Sequence, residues 1–257
     1  MQRRGIIKLL AAAATGLWTR QLPASGLLQT FARSGGGLET SRRGASPGQD
    51  SPSAEPLLPL FPLRLVLLPR AYLPLHIFEE RYKEMIGDCL QNQWEFGVLL
   101  VRESSVENIG CTASIAEVVR RYPDGRMDIL VQGRRRFEVS SLNQEKSYLR
   151  GKPEFFDDDE AEPPSDELRQ QARERYARLV ELVESDEPPS KEPPPALTDE
   201  QLSFQIMAEL PAELDWKQNL LELRSERERL VRVSAYLQQW IEFLEREPEQ
   251  RAPAGAV

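Results

Sequence analysis

The chain has 257 residues, 40% of them hydrophobic, and a net charge of −8, so it is long enough to bury a sizeable core and too acidic to grip nucleic acid or anionic lipid with its whole surface. One histidine and two cysteines exclude a multi-histidine metal centre, a zinc site with paired CxxC spacing and a disulfide-stapled scaffold. The charge is uneven: net +4 over residues 1–56, +1 over 57–156, −10 over 157–200 and −3 over 201–257.

Residues 1–56 hold eight of the fifteen glycines, and 20–56 reads as disordered because such a composition cannot offset chain entropy by burial. Arg3-Arg4-Gly5-Ile6-Ile7-Lys8, followed by an apolar run, forms a twin-arginine-like signal over 3–18, although Leu22-Pro23-Ala24 is a poor cleavage site. Export through that signal is the alternative to a cytoplasmic chain whose true start lies further downstream; the cytoplasmic reading is preferred. No apolar run reaches the ~18 residues a membrane-spanning helix needs.

From Leu57 to Phe156 the pattern is that of β-structure. Leu57–Leu68 and Tyr72–Phe78 are apolar runs broken by Pro59, Pro62, Pro69 and Pro74, which predicts edge strands or short bent ones. Glu80–Leu90 reads as a helix with Tyr82, Met85, Ile86 and Cys89/Leu90 on one face. Phe96–Val101 and Cys111–Val119 read as strands. Tyr122-Pro123-Asp124-Gly125 is a turn joining Ile115–Arg120 to Met127–Gln132 as a hairpin. Phe137–Val139 and Tyr148–Phe156 complete a set of short strands that suggests a small barrel.

Residues 157–200 form an acidic, proline-rich connection that includes a helix over 166–185, capped by Ser165 and apolar along Leu168, Ala172, Tyr176, Leu179 and Val183. Glu187–Pro195 is an extended linker. Thr198-Asp199-Glu200-Gln201 is a capping box with Leu197 and Leu202 as its staple, opening a helix that ends near Leu210. A helix with Trp216, Leu220 and Leu223 follows Pro211. Ser225 and Glu228 form a second capping box before Leu230, Val233, Leu237, Trp240 and Leu244. Residues 201–247 thus read as a helical bundle and 248–257 as a tail.

Chemistry-bearing residues are sparse. His76 lies in an apolar strand without a nucleophile signature and reads as a structural, hydrogen-bonded histidine. Cys89 and Cys111 read as small core residues. Asp157–Glu160 lacks the spacing and glycine of a calcium loop and reads as a solvated hinge. Trp94, Tyr72, Phe61 and Phe78 are assigned mostly to the core, with one or two left to line a groove. Alternation puts Arg134 and Arg136 on one face of a strand and Arg135 on the other, with Arg120, Arg121 and Arg126 close across the hairpin. Internal pairing of Arg134 or Arg136 with Glu79 or Glu117 is favoured over phosphate contact. No catalytic or metal-ligating residue, no cofactor and no substrate-contact residue is assigned.

Leu58-Pro59-Leu60-Phe61-Pro62-Leu63, Val66-Leu67-Leu68-Pro69 and Leu73-Pro74-Leu75-His76-Ile77-Phe78-Glu79-Glu80-Arg81-Tyr82 resemble the opening of the amino-terminal substrate-binding domain of Lon proteases. Phe96-Gly97-Val98, Ile109-Gly110-Cys111-Thr112-Ala113, Ala116-Glu117-Val118 and Gly133-Arg134-Arg135-Arg136-Phe137 follow in that family's order. Leu220-Leu221-Glu222-Leu223 and Ser225-x-x-Glu228-Arg229-Leu230 resemble its helical half, so the likeness runs over 57–246. It implies an α+β fold, a PUA-like pseudo-β-barrel over 57–156 with one short helix and a C-terminal helical bundle. Gly151-Lys152 is followed by Pro153 and is not a phosphate-cradling loop, and Pro52-Ser53-Ala54 lacks the glycines that flank the family's catalytic serine. The expectation is therefore a stand-alone, non-catalytic module linked to proteolysis that binds unfolded or extended polypeptides through a shallow apolar surface between barrel and bundle, with a Lon-type protease as a candidate partner. The alternatives are an RNA-binding barrel that uses Arg134, Arg135 and Arg136, and an adaptor for a separate protease.

Overall fold

The computed structural model describes residues 57–103, 105–159, 163–184, 197–208 and 210–246. The twin-arginine-like segment, the rest of the 1–56 leader, the 187–195 linker and the 248–257 tail lie outside the described residues. Within them are six strands, β1 (Leu58–Leu63), β2 (Tyr72–Ile77), β3 (Phe96–Val101), β4 (Val106–Arg121), β5 (Met127–Asn143) and β6 (Arg150–Phe155), and five helices, α1 (Glu80–Asn92), α2 (Asp166–Glu184), α3 (Leu202–Ala208), α4 (Leu214–Glu222) and α5 (Glu226–Arg246). They divide into a sheet unit, residues 57–67 and 73–156, and a helical unit, residues 68–72 and 157–246. The fold is α+β.

In the sheet unit the pairings β5-β4-β3-β1-β6 return to β5, closing a ring of five strands, and β2 pairs with β5 outside it. β1 runs parallel to β3, and the pairs β1–β6, β3–β4, β4–β5 and β5–β6 are antiparallel. β1 is buried along its whole length. Leu58 and Leu60 join Leu99, Phe137, Val139 and Leu149 in one apolar cluster, while Phe61 meets Tyr82 of α1 with ring centroids 4.2 Å apart. The helix predicted over 80–90 buries Tyr82, Met85, Ile86 and Cys89 as its spacing required.

Three sequence expectations are resolved or corrected here. Of the two alternatives that the prolines allowed, β2 is the edge strand, whereas β1 is a short strand of six residues and not an edge, because it lies between β3 and β6. Pro59 faces Arg150 in a non-hydrogen-bonded pair and precedes the first β3 partner, Leu60↔Gly97, while Pro62 lies past the last β6 pair, so no ladder donor is lost. The short strands expected at 127–132 and 137–139 are one strand of 17 residues. Gly133–Arg136 looks like a polar interruption, but a bulge absorbs it. Ala113 pairs with Gly133 and Cys111 with Arg136, so Arg134 and Arg135 together face Thr112. The strand expected at Cys111–Val119 likewise extends over Val106–Arg121. The turn between them is as predicted, with Gly125 at φ +83°.

In the helical unit α2 and α5 pack through Ala172, Tyr176, Leu179 and Leu230, Val233, Leu237, which are buried. Arg175 of α2 donates to the Ser234 carbonyl (3.0 Å) and hydroxyl (2.7 Å) of α5. Ser165 Oγ accepts the Leu168 N–H, and Ser225 Oγ accepts the Glu228 N–H, so both serines cap as expected. The capping box at Thr198–Gln201 does not form. Gln205 binds Thr198 through N–H, carbonyl and hydroxyl, Gln201 takes a left-handed conformation, and α3 starts only at Leu202. Its first-turn Ser203 N–H is accepted by Glu226 of α5 instead (2.8 Å). The reciprocal half of the second box is also missing, since Glu228 holds Arg232 (2.7 Å).

Arg229 is the centre of this unit and is fully buried. It forms a bidentate pair with Asp158 (2.6 and 2.5 Å), binds Glu226 (2.7 Å), Ser203 Oγ (3.1 Å) and the Leu223 carbonyl (2.6 Å), and lies 4.4 Å over the Phe204 ring. The acidic run at 157–160, expected to be a solvated hinge, thus supplies a structural counter-ion through Asp158, and the Asp159 N–H donates to the Arg224 carbonyl.

Candidate functional site

At the start of β1 the sheet unit opens into a groove of about 840 Å³. Its walls come from the first residues of β1 (Leu57–Pro59), the approach to β3 (Trp94, Glu95), the bulge of β5 (Arg135) and the length of β6 (Arg150, Lys152–Phe155). α1 ends in a left-handed turn at Gln93, φ 57°, and the chain enters the groove as Trp94, which leaves 47% of its surface exposed; Phe155 exposes 45%. Both are large apolar side chains in solvent, and they share one concavity. The bulge turns Arg135 outward, its N–H donates to Thr112 Oγ1 (3.1 Å), and its guanidinium stacks 3.9 Å over the Phe155 ring. Arg135 Nε is 3.9 Å from Glu95 Oε2, and that oxygen is buried without a hydrogen bond from the protein. Arg150 donates to Asn143 (2.8 Å) and Glu145 (2.9 Å), while its Nε is buried without an acceptor.

The arginine run is split by the fold. Arg134 and Arg135 are exposed side by side, and Arg136 is buried, with its guanidinium 4.8 Å from the Phe156 ring centre. This corrects the alternation that put Arg134 with Arg136: the extra residue of the bulge shifts the phase by one. Glu79 is held by Arg81 at 2.7 Å. Arg120 and Arg126 stack on Tyr122 at the hairpin tip (4.7 and 5.0 Å), and Arg121 reaches Met127. Seven residues of strand, roughly 23 Å of extended chain, separate that tip from Arg134, so the six arginines do not form the cluster expected of them.

His76 is hydrogen-bonded, but at the surface. Its Nδ1 is 2.5 Å from Asp128 Oδ1, and Tyr122 donates to Asp128 Oδ2 (2.7 Å). Those two bonds, His76 first, hold the Asp128 carboxyl below its ordinary range. Cys89 and Cys111 are buried, and burial pushes each thiol up to about 12, which leaves no thiolate for nucleophilic or redox work near neutrality. Of the four aromatics assigned mostly to the core, only Phe61 is there; Tyr72, Phe78 and Trp94 are exposed. Among the described residues no three side chains of His, Cys, Asp or Glu converge to hold a metal, and no helix is long and apolar enough to cross a membrane.

Sequence reasoning left a groove aromatic open as a possibility and did not single out Phe155, Glu95, Arg150 or Lys152. The signal available was Lys152-Pro153-Glu154-Phe155, where charged and apolar residues alternate along the end of a strand. Every described residue that lines the groove belongs to the sheet unit.

Residues 57–239 match the family model of the ATP-dependent protease La (LON) substrate-binding domain. The chain is 26% identical over 210 residues to the Lon protease of Escherichia coli K12, which covers 76% of this chain and 26% of that protein. It is 28% identical over 221 residues to the Lon protease of Anaeromyxobacter dehalogenans, covering 78% of this chain and 24% of the relative. The chain therefore spans about a quarter of the length of these curated relatives. The fold is similar to that of a Lon N-terminal domain protein from Xanthomonas campestris (TM-score 0.55, 24% identity, 70% of this chain and 98% of that one) and to the N-terminal domain of Mycobacterium avium complex Lon protease (TM-score 0.51, 17% identity, 73% and 98%).

Proposed function

The chain belongs to the LON substrate-binding domain family, and on that premise we propose that it is a non-catalytic receptor for unfolded or extended polypeptides that works in protein quality control alongside a Lon-type protease. The observation that carries this reading is the groove at the start of β1, where Trp94 and Phe155 expose apolar surface between Arg135 and Lys152. An unfolded chain offers what such a concavity can bind: apolar side chains, with main-chain amides between them. A folded protein hides both. Neither thiol supports a hydrolytic reading, since both are buried and raised to about 12.

The test is binding of the full chain to fluorescein-labelled, reduced and carboxymethylated α-lactalbumin, with folded α-lactalbumin as control. Saturable binding of the unfolded form alone is expected, weakened at least several-fold by Trp94→Ala with unchanged circular dichroism. Equal signals from the two forms overturn the reading. Casein stays intact in the same mixtures; cleavage without ATP that a serine substitution abolishes overturns its non-catalytic part.

A further inference from the structure

α5 buries Leu230, Val233, Leu237 and Ile241 on one side. Between Arg229 and Leu244 its exposed residues are Val231, Arg232, Ala235, Gln239, Glu242 and Phe243, and spacings of three and four gather them on the opposite side. These exposed positions are symmetric about Leu237. Val231 precedes it by as many residues as Phe243 follows it, and the same holds for Arg232 with Glu242 and for Ala235 with Gln239. Val231 and Phe243 expose 52% and 49% of their surface, and among the described residues no other helix carries a large apolar side chain so exposed. Such side chains standing singly are ordinary on a surface. Here two of them share one helix face at mirror positions, about 18 Å apart along the axis at ~1.5 Å per residue.

A face symmetric in position and opposite in charge complements a second copy of itself when the two helices run antiparallel. With the two Leu237 positions level, Val231 comes level with the partner's Phe243, Arg232 with the partner's Glu242, and Ala235 with the partner's Gln239. Two-fold symmetry makes each of these meetings occur twice. A parallel pair would instead bring Arg232 to Arg232 and Glu242 to Glu242, which like charge disfavours. Glu228 already holds Arg232 (2.7 Å) and Gln238 donates to Glu242 (3.1 Å), both along the helix. A guanidinium has more donors than one carboxylate takes up, and a carboxylate more lone pairs than one amide fills, so these bonds and a bond across the pair are compatible. Ala235, near the centre, is small enough to let the two helices approach.

We infer that the outer face of α5 is where a second copy of this chain docks, antiparallel and centred on Leu237. Val231 packs against the partner's Phe243, and Arg232 pairs with the partner's Glu242. A narrow apolar seam with exposed ion pairs makes this dimer weak and sensitive to salt. The inference does not depend on the polypeptide-binding reading.

The experiment is sedimentation equilibrium of the full chain at low salt, from low micromolar to near-millimolar concentration. A reversible monomer–dimer equilibrium that added salt weakens is expected. Arg232→Glu and Glu242→Arg should each weaken dimerisation about tenfold or more, since symmetry counts each change twice, and combining them should restore most of it. Unchanged circular dichroism in these variants ties the effect to the contact. In a chain carrying both Val231→Cys and Phe243→Cys, a short bis-maleimide should link two copies. Either substitution alone leaves like positions about 18 Å apart and should give no link. The native thiols are buried and do not compete. A chain that stays monomeric throughout overturns the inference. So does a dimer that all the charge variants leave unchanged, or one that either cysteine alone links as well as the two together.

Discussion

In the sheet unit the buried side chains are apolar apart from Thr112 and Arg136, whereas the largest fully buried side chain of the helical unit, and of all the described residues, is the guanidinium of Arg229. The difference follows from how each unit satisfies its backbone. A closed ring of strands pairs its own amides and carbonyls, so its interior needs only volume: Leu58, Leu60, Leu99 and Phe137 supply it. Short helices leave N–H groups at one end and carbonyls at the other without partners. Here Glu226 takes the Ser203 N–H at the start of α3, and Arg229 takes the Leu223 carbonyl at the end of α4. One buried ion-pair network therefore serves two helix ends and fastens the Asp158 segment to them.

That contrast is sharpest at Arg229. Arg229→Ala empties a fully buried position and leaves the half-buried carboxylates of Asp158 and Glu226 without their cation, and should cost the helical unit on the order of 3 kcal/mol. Amide exchange read residue by residue should show α3–α5 losing protection while β3–β5 keep theirs. Equal loss in both units would remove the distinction between them.

In the sheet unit the equivalent weakness is steric. A Cβ on Gly110 would overlap the Val98 carbonyl oxygen, which is backbone and cannot swing aside, and would approach Leu99 Cδ2 to 2.7 Å. Gly110→Ala should therefore destabilise by about 1–3 kcal/mol in urea unfolding, with the loss confined to the ring. A neutral result would show that the ring tolerates displacement of β3 from β4.

The smallest effect concerns polar contacts at the surface of the sheet unit. Lys146, then Tyr148, hold the Asp88 carboxyl below its ordinary range through bonds of 2.5 and 2.6 Å. A depressed folded pKa adds stability that is complete above the unfolded value near ~3.9 and disappears as pH falls through the folded one. Asp88→Asn should lower the melting temperature slightly at pH 7 and flatten its decline below about pH 4. A parallel decline in both proteins would show that this cluster carries no acid sensitivity.

Much of the local structure is legible in residue order. α1, β3, the Pro123–Gly125 turn and the serine caps of α2 and α5 follow from apolar spacing, proline geometry and side-chain oxygens, all of which act within a few residues. The Thr198 box failed although its letters are right, because Gln205 competes for Thr198 and a carboxylate from α5 reaches the helix start first. Within the candidate site Trp94 was half legible, as an aromatic that core or groove might claim. Arg135 was visible as charge but not as direction, which a bulge set by pairing with β4 decides.

The ordered motif blocks were enough to give the family and, through it, the fold class, since those blocks are written in residue type and short spacing. The tertiary structure alone decided that Arg229 is buried and that Arg134 and Arg136 part company. Both depend on how segments tens of residues apart meet, where a shift of one residue reverses which side chains face inward.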